Sequence, residues 1–298
     1  MIESILSKMK GIKVMKVDIV CPLYLAEDYI EGFLERLQRQ KNVEIDNVIF
    51  PITEEGSVAE VANKISKAGY RYFLLSKDAF SHSLTREKAI FEYCENDIVI
   101  MMSQDVILLD DYCLFELASH VTSEVVYAYG RQICSKKTIE HYTRLKNYSE
   151  ASSVVTKADI ERLQIKAFGS SDAFAAYYRP AFLRLNSYDN IHMMFNEDMY
   201  YAKKILEAGY KKAYVATAVV EHSHKLTLNQ LYKRYYATGE WFKEHREFDN
   251  YKTTDTGLQL AIFVFKAAIK DFNVPVLIRF VPDMLSRYLG MRNGKMHN

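Results

Sequence analysis

The sequence contains few cysteines, and they lie too far apart to form a zinc site. Four occur in 298 residues, with no Cys-x-x-Cys pair among them. Structural zinc sites need closely spaced cysteines, and disulfide scaffolds need several of them in a short chain. The four are Cys21, Cys94, Cys113 and Cys134. We interpret them as free thiols of a cytoplasmic protein.

An excess of charge of one sign is also missing. The 39 Lys and Arg residues nearly balance the 38 Asp and Glu residues. The chain therefore lacks the overall basic field with which proteins hold nucleic-acid phosphates. Nucleic acid is not an expected partner.

The sequence has no long hydrophobic run. Residues 1–13 mix charged and apolar side chains and lack the continuous apolar core of a signal peptide. Residues 258–289 are strongly apolar, but their longest uncharged run, 258–265, is far shorter than the roughly 20 residues that span a bilayer. We therefore expect no transmembrane anchor. Met15 is a second candidate start, so we expect the preceding residues, 1–14, to be an extension outside the fold.

Apolar residues are numerous, and their spacing alternates between strand and helix. They make up 49% of the chain, which is enough for a large core. Apolar β-branched runs and helical spacings alternate along the N-terminal half, and the run 97–102 is typical of a parallel sheet covered on both faces. The predicted strands are 17–21, 47–52, 70–75 and 97–102, and the predicted helices are 29–40, 58–68 and 84–94. We predict a doubly wound α/β fold.

The second half of the chain has a less regular pattern. After Gly130 a polar and aromatic stretch extends to residue 153, and we assign it to a surface on the acceptor side. Strands at 174–178 and 212–220 and helices at 198–208 and 228–244 are predicted beyond it. Residues 258–289 combine apolar residues with interspersed Lys and Arg. This composition indicates either an interfacial amphipathic helix or a surface that packs on the catalytic domain or a second subunit.

Carboxylates and histidines occur where predicted elements end or begin. Asp105 follows an apolar strand, His222 and His224 follow another, and Glu197 and Asp198 open a helix. Active sites of α/β enzymes assemble at such ends, and one or two carboxylates hold Mg²⁺ or Mn²⁺ when substrate phosphates complete the site. The alternatives are a turn role for the aspartate, helix capping by the acidic pair, and one buried structural histidine.

Several short motifs, in this order, resemble glycosyltransferase family 2, and particularly its bacterial rhamnosyltransferase branch. They are Cys21-Pro22-Leu23-Tyr24, Phe80-Ser81-His82-Ser83-Leu84-Thr85-Arg86, Ser103-Gln104-Asp105, Tyr129-Gly130-Arg131-Gln132, Glu197-Asp198, His222-Ser223-His224 and Lys233-Arg234-Tyr235-Tyr236. The family consists of inverting enzymes with a GT-A fold. The resemblance implies a Rossmann-like nucleotide-binding sheet with helices on both faces, in a GT-A domain over residues 15–245. Residues 246–298 lie beyond the resemblance, and from their composition we expect a C-terminal helical region that associates with the membrane or with a second subunit.

The resemblance also implies roles for individual residues. Asp105 and His224, with His222 less directly, would hold Mg²⁺ or Mn²⁺ on the donor's diphosphate. Asp198 would be the general base for the acceptor hydroxyl, with Glu197 beside it in the acceptor site. The donor-binding residues would be Pro22, Tyr24, Glu54, His82, Arg86, Gln104 and Arg234, and the two arginines among them would meet phosphate oxygens. The sequence departs from the family twice, with Ser103 at the first position of the DxD motif and Glu54-Glu55 in place of the usual Asp-Asp.

The function implied by the resemblance is transfer of L-rhamnose from dTDP-β-L-rhamnose to a lipid-linked cell-wall or capsular polysaccharide, giving an α-linked product. The protein would work in the cytoplasm at the inner face of the cell membrane. Transfer of glucose or galactose from a UDP-sugar is an alternative. A sugar-phosphate nucleotidyltransferase would need a glycine-rich loop after the first strand, and residues 21–24 contain no glycine. The alternative from another class is a non-catalytic scaffold of a polysaccharide assembly complex.

Overall fold

A nine-stranded mixed sheet forms the centre of the computed structural model, which describes residues 14–252 and 254–297. Its strand order is β3-β2-β1-β4-β8-β6-β9-β5, and β7 pairs with β9. The strands are β1 (Met15–Val20), β2 (Val43–Thr53), β3 (Arg71–Leu75), β4 (Ile98–Met102), β5 (Ile107–Leu108), β6 (Val125–Ile133), β7 (Ser153–Val155), β8 (Phe174–Tyr178) and β9 (Lys211–Glu221). Residues 1–13 of the expected extension lie outside the described residues.

Helices cover both faces of this sheet. They are α1 (Ile30–Gln38), α2 (Val58–Lys67), α3 (His82–Tyr93), α4 (Cys113–Ala118), α5 (Ile139–Asn147), α6 (Ile160–Leu163), α7 (Arg179–Arg184), α8 (Glu197–Glu207), α9 (Leu228–Glu244), α10 (Thr254–Lys270) and α11 (Val274–Met296). Successive residues of a strand point to opposite faces. Accordingly, Ile100 belongs to the core cluster that contains residues of α1 and α2, whereas Met101 belongs to the cluster that contains residues of α3 and α8.

The predicted α/β fold is confirmed, and the N-terminal half of the sheet is parallel. Strand β1 pairs in parallel with β2 and β4, and β2 pairs in parallel with β3. The sheet becomes mixed at β8, which is antiparallel to both β4 and β6. Parallel strands end at the same edge, so the loops after β1 and β4 meet there.

Strand β6 is the main element that the sequence patterns missed. Residues 125–133 were expected to lose regular structure after Gly130, but they form a strand in the middle of the sheet. Its end carries Arg131 and Gln132, which are atypical of a buried strand. Gln132 is nevertheless completely buried, because its side chain finds hydrogen-bond partners inside the protein. The polar residues at the end of β6 therefore hid this strand in the sequence, because one of them is buried and hydrogen-bonded.

The last two helices pack on the rest of the chain. Helix α11 lies along α9, and α10 packs on α5 through a small apolar cluster. A Cβ atom on Gly290 would lie 2.5 Å from the carbonyl oxygen of Tyr232, and one on Gly294 would collide with that of Tyr236. Only glycine allows this close approach of the two backbones. Within residues 14–252 and 254–297, none of the helices combines the length and apolar character needed to cross a bilayer.

Candidate active site

A cavity of about 470 Å³ opens where β1 and β4 end. Its wall comes from the loops after these strands, from the start of α3 and from the loop after β9. The lining residues are Pro22, Leu23, Tyr24, Tyr29, Thr53, Lys77, Phe80, His82, Arg86, Met102, Ser103, Gln104, Asp105, Met194 and His224. This is the position at which open α/β sheets bind ligands. Seven of the predicted site residues are among them, and Glu54, Glu197, Asp198 and Arg234 are not.

Asp105, His222 and His224 converge at one side of this cavity. Their potential ligand atoms lie within 4.8 Å of one another. One carboxylate oxygen of Asp105 is 3.2 Å from Nδ1 of His224, and the other is 3.5 Å from Nε2 of His222. Pairing of Ile107 with Glu221 in the short β5–β9 ladder brings the two segments together. A carboxylate and two imidazoles form a suitable donor set for a divalent metal ion.

His222 provides a direct test of whether a metal ion fits this cluster. Its Nε2 atom is buried and finds no hydrogen-bond partner among the described residues. A buried polar atom without a partner is costly, and a bound metal ion would satisfy it. The cluster therefore fits a metal ion, which His222 would bind together with Asp105 and His224.

The tautomer of His222 is set by Gln132 on β6. Oε1 of Gln132 lies 2.8 Å from Nδ1 of His222 and also accepts a hydrogen bond from Arg144, while its amide nitrogen donates to Ser171 at 2.8 Å. The arginine can only donate, so the amide oxygen must face His222. Nδ1 then carries the proton, and Nε2 presents its lone pair towards Asp105. No role for Gln132 was predicted, although the motif that contains it was noticed.

A second layer of charged residues connects both histidines. Arg144 is 2.9 Å from one carboxylate oxygen of Glu140, and the other accepts a hydrogen bond of 2.9 Å from the backbone N–H of His224. Residues behind metal ligands commonly fix ligand orientation in this way. Helix α5, which was expected to be an irregular acceptor surface, thus supports the cluster.

The charge states in the cluster suit metal binding. Burial would raise the pKa of Asp105, but contact with the imidazole of His222 and the proximity of His224 hold it below its usual value. Burial and the proximity of His222 lower the pKa of His224 to about 4. At neutral pH the carboxylate is thus ionised and the His224 imidazole is neutral, which are the forms that coordinate metal ions.

A second charged group surrounds Arg86 of α3. The guanidinium is only 3% exposed, forms an ion pair with Glu197 and lies 3.7 Å from Asp172. Asp172 also accepts hydrogen bonds from Tyr127 at 2.9 Å and from Tyr177 at 2.6 Å. Arg86 was expected to meet donor phosphates and Glu197 to lie in the acceptor site. In the structure these two side chains pair with each other. Contact of Arg86 with donor phosphates and of Glu197 with the acceptor remain predictions.

Asp198 lies at the start of α8 beside this group. Its Oδ1 accepts a hydrogen bond of 2.6 Å from the backbone N–H of Met199. Burial, followed by the charges of Glu197 and Asp172, raises the pKa of Asp198 well above the ordinary carboxylate value, because one guanidinium offsets three carboxylates. A carboxylate with a raised pKa is a stronger base, which suits proton transfer.

The opposite wall of the cavity is held by Tyr24 and Gln104. The side-chain amide of Gln104 makes two hydrogen bonds of 2.8 Å with the backbone N–H and C=O of Tyr24, which fixes the loops after β1 and β4 together. The hydroxyl of Tyr24 donates to Glu55 at 2.8 Å, and Lys77 pairs with the same carboxylate at 2.9 Å. The predicted acidic residue was Glu54, but the carboxylate that contacts the cavity wall is that of Glu55.

The remaining predicted residues are His82 and Arg234. Burial and the nearby Arg86 lower the pKa of His82 to about 3, so its imidazole is neutral. Arg234 is exposed on α9 and lies outside the wall, yet its charge contributes to lowering the pKa of both His82 and His224.

Solved structures that share this fold are glycosyltransferases of the GT-A class. A mannosyltransferase from Pyrobaculum calidifontis, solved with GDP-Man and Mn²⁺, is 11% identical and superposes with a TM-score of 0.60 over 94% of this chain and 87% of its own. Staphylococcus aureus TarS in complex with UDP-GlcNAc is 13% identical, with a TM-score of 0.57 over 94% and 91%. Identities this low establish the shared fold alone. No family model matches the sequence.

Sequence relatives identify the family within that class. O-antigen chain rhamnosyltransferase RfbN of Salmonella typhimurium is 34% identical over 229 residues, which are 76% of this chain and 72% of the relative. O-antigen chain rhamnosyltransferase WbaN of Salmonella anatum is 33% identical over 195 residues, or 63% of this chain and 60% of the relative. The chain belongs to this rhamnosyltransferase family. The resemblance seen in the sequence motifs is confirmed.

Proposed function

We propose that this protein transfers L-rhamnose from dTDP-β-L-rhamnose to a hydroxyl group of a lipid-linked polysaccharide, at the cytoplasmic face of the cell membrane. The observation that carries the proposal is the convergence of Asp105, His222 and His224 beside a cavity at the ends of β1 and β4. The relatives named as O-antigen chain rhamnosyltransferases support the choice of sugar and of a polysaccharide acceptor.

Asp105, His222 and His224 would hold the metal ion, Mg²⁺ or Mn²⁺. When bound, such an ion neutralises charge that develops on the nucleotide diphosphate as it leaves. Gln132 keeps His222 in the tautomer that can bind it, and Glu140 holds the backbone of His224. The protein thus presents a preorganised donor set, and the diphosphate oxygens would complete the coordination.

Asp198 would accept the proton of the acceptor hydroxyl as that oxygen attacks the anomeric carbon of the sugar. Attack from the face opposite the leaving diphosphate inverts the configuration, so a β-linked donor gives an α-linked product. Glu197 and Asp172 act on Asp198 through their negative charges, and Arg86 holds both of them in place. We assign these three residues to positioning rather than to contact with the sugar.

The donor would lie against the loops after β1 and β4. Pro22, Tyr24, His82 and Gln104 line the cavity, which supports their proposed role in holding it. Lys77 also lines the cavity, lies 5.5 Å from the centre of the Tyr24 ring, and supplies a positive charge there. Glu54 and Arg234 do not line the cavity. Their contact with the donor is proposed from the resemblance alone.

We keep the division into a catalytic domain over residues 15–245 and a helical region over 246–298 as part of the proposal. Packing of α10 on α5 and of α11 on α9 means that the second part is attached directly to the first. Removal of the helices would therefore expose apolar surface on α5, whose Ile139 and Tyr142 are buried against α10.

The proposal is tested by a donor screen with the purified full chain. dTDP-rhamnose, UDP-glucose and UDP-galactose are each offered with a synthetic lipid-linked oligosaccharide and Mn²⁺, and the glycosylated product is measured by mass spectrometry. We expect product with dTDP-rhamnose and an α linkage by NMR. The Asp198→Asn variant is the matched control for contaminating activity. Product from a UDP-sugar alone would contradict the choice of donor, and no product from any sugar would contradict the proposed function.

A further inference from the structure

Helices α10 and α11 are joined by a short turn and contact each other, and this segment, here called the C-terminal hairpin, exposes an unusual amount of apolar surface. Of the 25 large hydrophobic side chains exposed in the described residues, eleven lie in residues 258–296. They include Leu258 at 65% exposed, Phe272 at 88% and Ile278 at 74%. Isolated exposed apolar residues are normal, but a contiguous group marks a surface that contacts something apolar.

The exposed side chains follow one face of each helix. On both helices their spacings of three and four residues keep them on a single side. They are Leu258, Ile262, Phe265 and Ile269 on α10, Phe272 in the turn, and Val274, Ile278, Val281, Leu285 and Tyr288 on α11. The hairpin therefore presents an apolar stripe on each helix, with Phe272 exposed in the turn between them.

The opposite face of the hairpin already has a structural role. Val264, Ala268 and Val276 are buried in a cluster with Ile139 and Tyr142 of α5. Because the inward face anchors the hairpin to the catalytic domain, the outward face is not needed to hold the fold together.

Within residues 257–297 the exposed charges are mostly positive. The exposed basic residues between 257 and 297 are Lys266, Lys270, Arg279, Arg292 and Lys295. The acidic residues of this segment are Asp271, which pairs with Lys137 at 3.3 Å, and Asp283, which is buried and bonded to Arg287 at 2.6 Å. Lys266 and Lys270 each follow a residue of the α10 stripe, so they flank it, about 100° round the helix.

We propose that the C-terminal hairpin lies in the surface of a bilayer that contains anionic lipids, with the apolar stripes among the acyl chains and the basic residues at the headgroups. An apolar helix face bordered by Lys and Arg is the chemistry of interfacial membrane helices. A second copy of the chain would bring basic residues against basic residues around the same face, which disfavours self-association there. The bilayer surface is also where a lipid-linked acceptor resides.

The inference is tested by binding of the full chain to vesicles, without any sugar substrate. Flotation with phosphatidylcholine vesicles that contain phosphatidylglycerol is compared with pure phosphatidylcholine. We expect binding to the anionic vesicles, weakened by high salt. Burial of a large apolar side chain contributes favourable free energy to membrane binding. The double variant Phe272→Asp with Ile278→Asp should therefore bind the vesicles about tenfold or more weakly.

The matched control is Phe91→Asp, which changes a side chain that is 47% exposed on α3. Circular dichroism and light scattering verify that all variants are folded and report their mass. Unchanged vesicle binding by the Phe272→Asp and Ile278→Asp double variant would overturn the proposal. The proposal would also be overturned if the full chain is a dimer that does not bind vesicles and the double variant is a monomer. Either result leaves the donor screen unaffected, so this inference and the proposed function fail separately.

Discussion

Two aspartates, Asp105 and Asp198, belong to this site, and their surroundings shift their pKa values in opposite directions. Asp105 lies between two imidazoles and has a pKa below the usual range. Asp198 lies beside two further carboxylates that share one guanidinium, and its pKa is raised. Identical side chains are thus prepared for different tasks, one for holding a cation and one for taking a proton. The neighbours that decide this are largely remote in sequence.

The largest effect is expected from removing the proposed base. General base catalysis is typically worth about 10²–10⁴-fold, so Asp198→Asn should lower turnover by that factor. The amide is nearly isosteric but does not accept the proton, and donor affinity should change little. Steady-state kinetics and donor titration measure the two quantities. Near-normal turnover of Asp198→Asn, together with an inactive Glu197→Gln, would mean that the two acidic residues have the reverse roles.

Among the described residues, Arg86 is the guanidinium that pairs with Glu197 and lies beside Asp172, so its loss should destabilise the protein. Removing one partner of a buried ion pair typically costs about 3–5 kcal/mol. We expect Arg86→Met to lower the free energy of unfolding by about that amount in urea titrations. Arg184→Met, at the end of α7, is a control at an arginine that bonds to the Tyr210 hydroxyl near the surface. Equal stability of both variants would show that the carboxylates around Arg86 are not charged.

Replacement of Gln132 should weaken metal binding at Asp105, His222 and His224 and leave the surroundings of Asp198 unchanged. Loss of a residue behind a metal ligand typically weakens affinity by about 10–100-fold, so we expect that change in Mn²⁺ affinity for Gln132→Leu. Electron paramagnetic resonance of free Mn²⁺ in the presence of dTDP measures it. Gln259→Leu, on the exposed side of α10, is the control. Unaltered Mn²⁺ affinity of Gln132→Leu would show that Gln132 does not set the His222 tautomer.

The smallest expected effect is a shift in pH dependence. Because Asp198 acts when deprotonated, turnover should be full above its pKa and fall as the pH drops through it. Its raised pKa places this fall at a higher pH than for an ordinary carboxylate near pH 4. Glu197→Gln removes a negative neighbour and should move the fall to lower pH. A shift to higher pH in the profile of turnover against pH would contradict the assigned electrostatics.

The candidate metal site could be predicted from the sequence because its residues follow apolar strands. Asp105 comes after β4 and both histidines come after β9, and such strand ends meet at one edge of the sheet. The pairing of β5 with β9, which brings them within reach, depends on a strand of only two residues. A strand that short leaves no periodic pattern.

The surroundings of the base could not be predicted in the same way. Arg86 and Glu197 are 111 positions apart, and nothing local in either segment indicates that they pair. The resemblance suggested a phosphate partner for Arg86, whereas burial of its guanidinium demands a fixed anion nearby. Gln132 was missed for a related reason, since a polar residue in an aromatic strand interrupts the pattern that identifies the strand.

Metal binding and proton transfer are assigned to two different aspartates, Asp105 and Asp198. The most direct measurement is the affinity for dTDP-rhamnose, with and without Mn²⁺, beside turnover, in Asp105→Asn and Asp198→Asn. We expect Asp105→Asn to lose the Mn²⁺-dependent part of donor binding, and Asp198→Asn to keep it while losing turnover. Intact Mn²⁺-dependent binding in Asp105→Asn, or its loss in Asp198→Asn, would contradict the division.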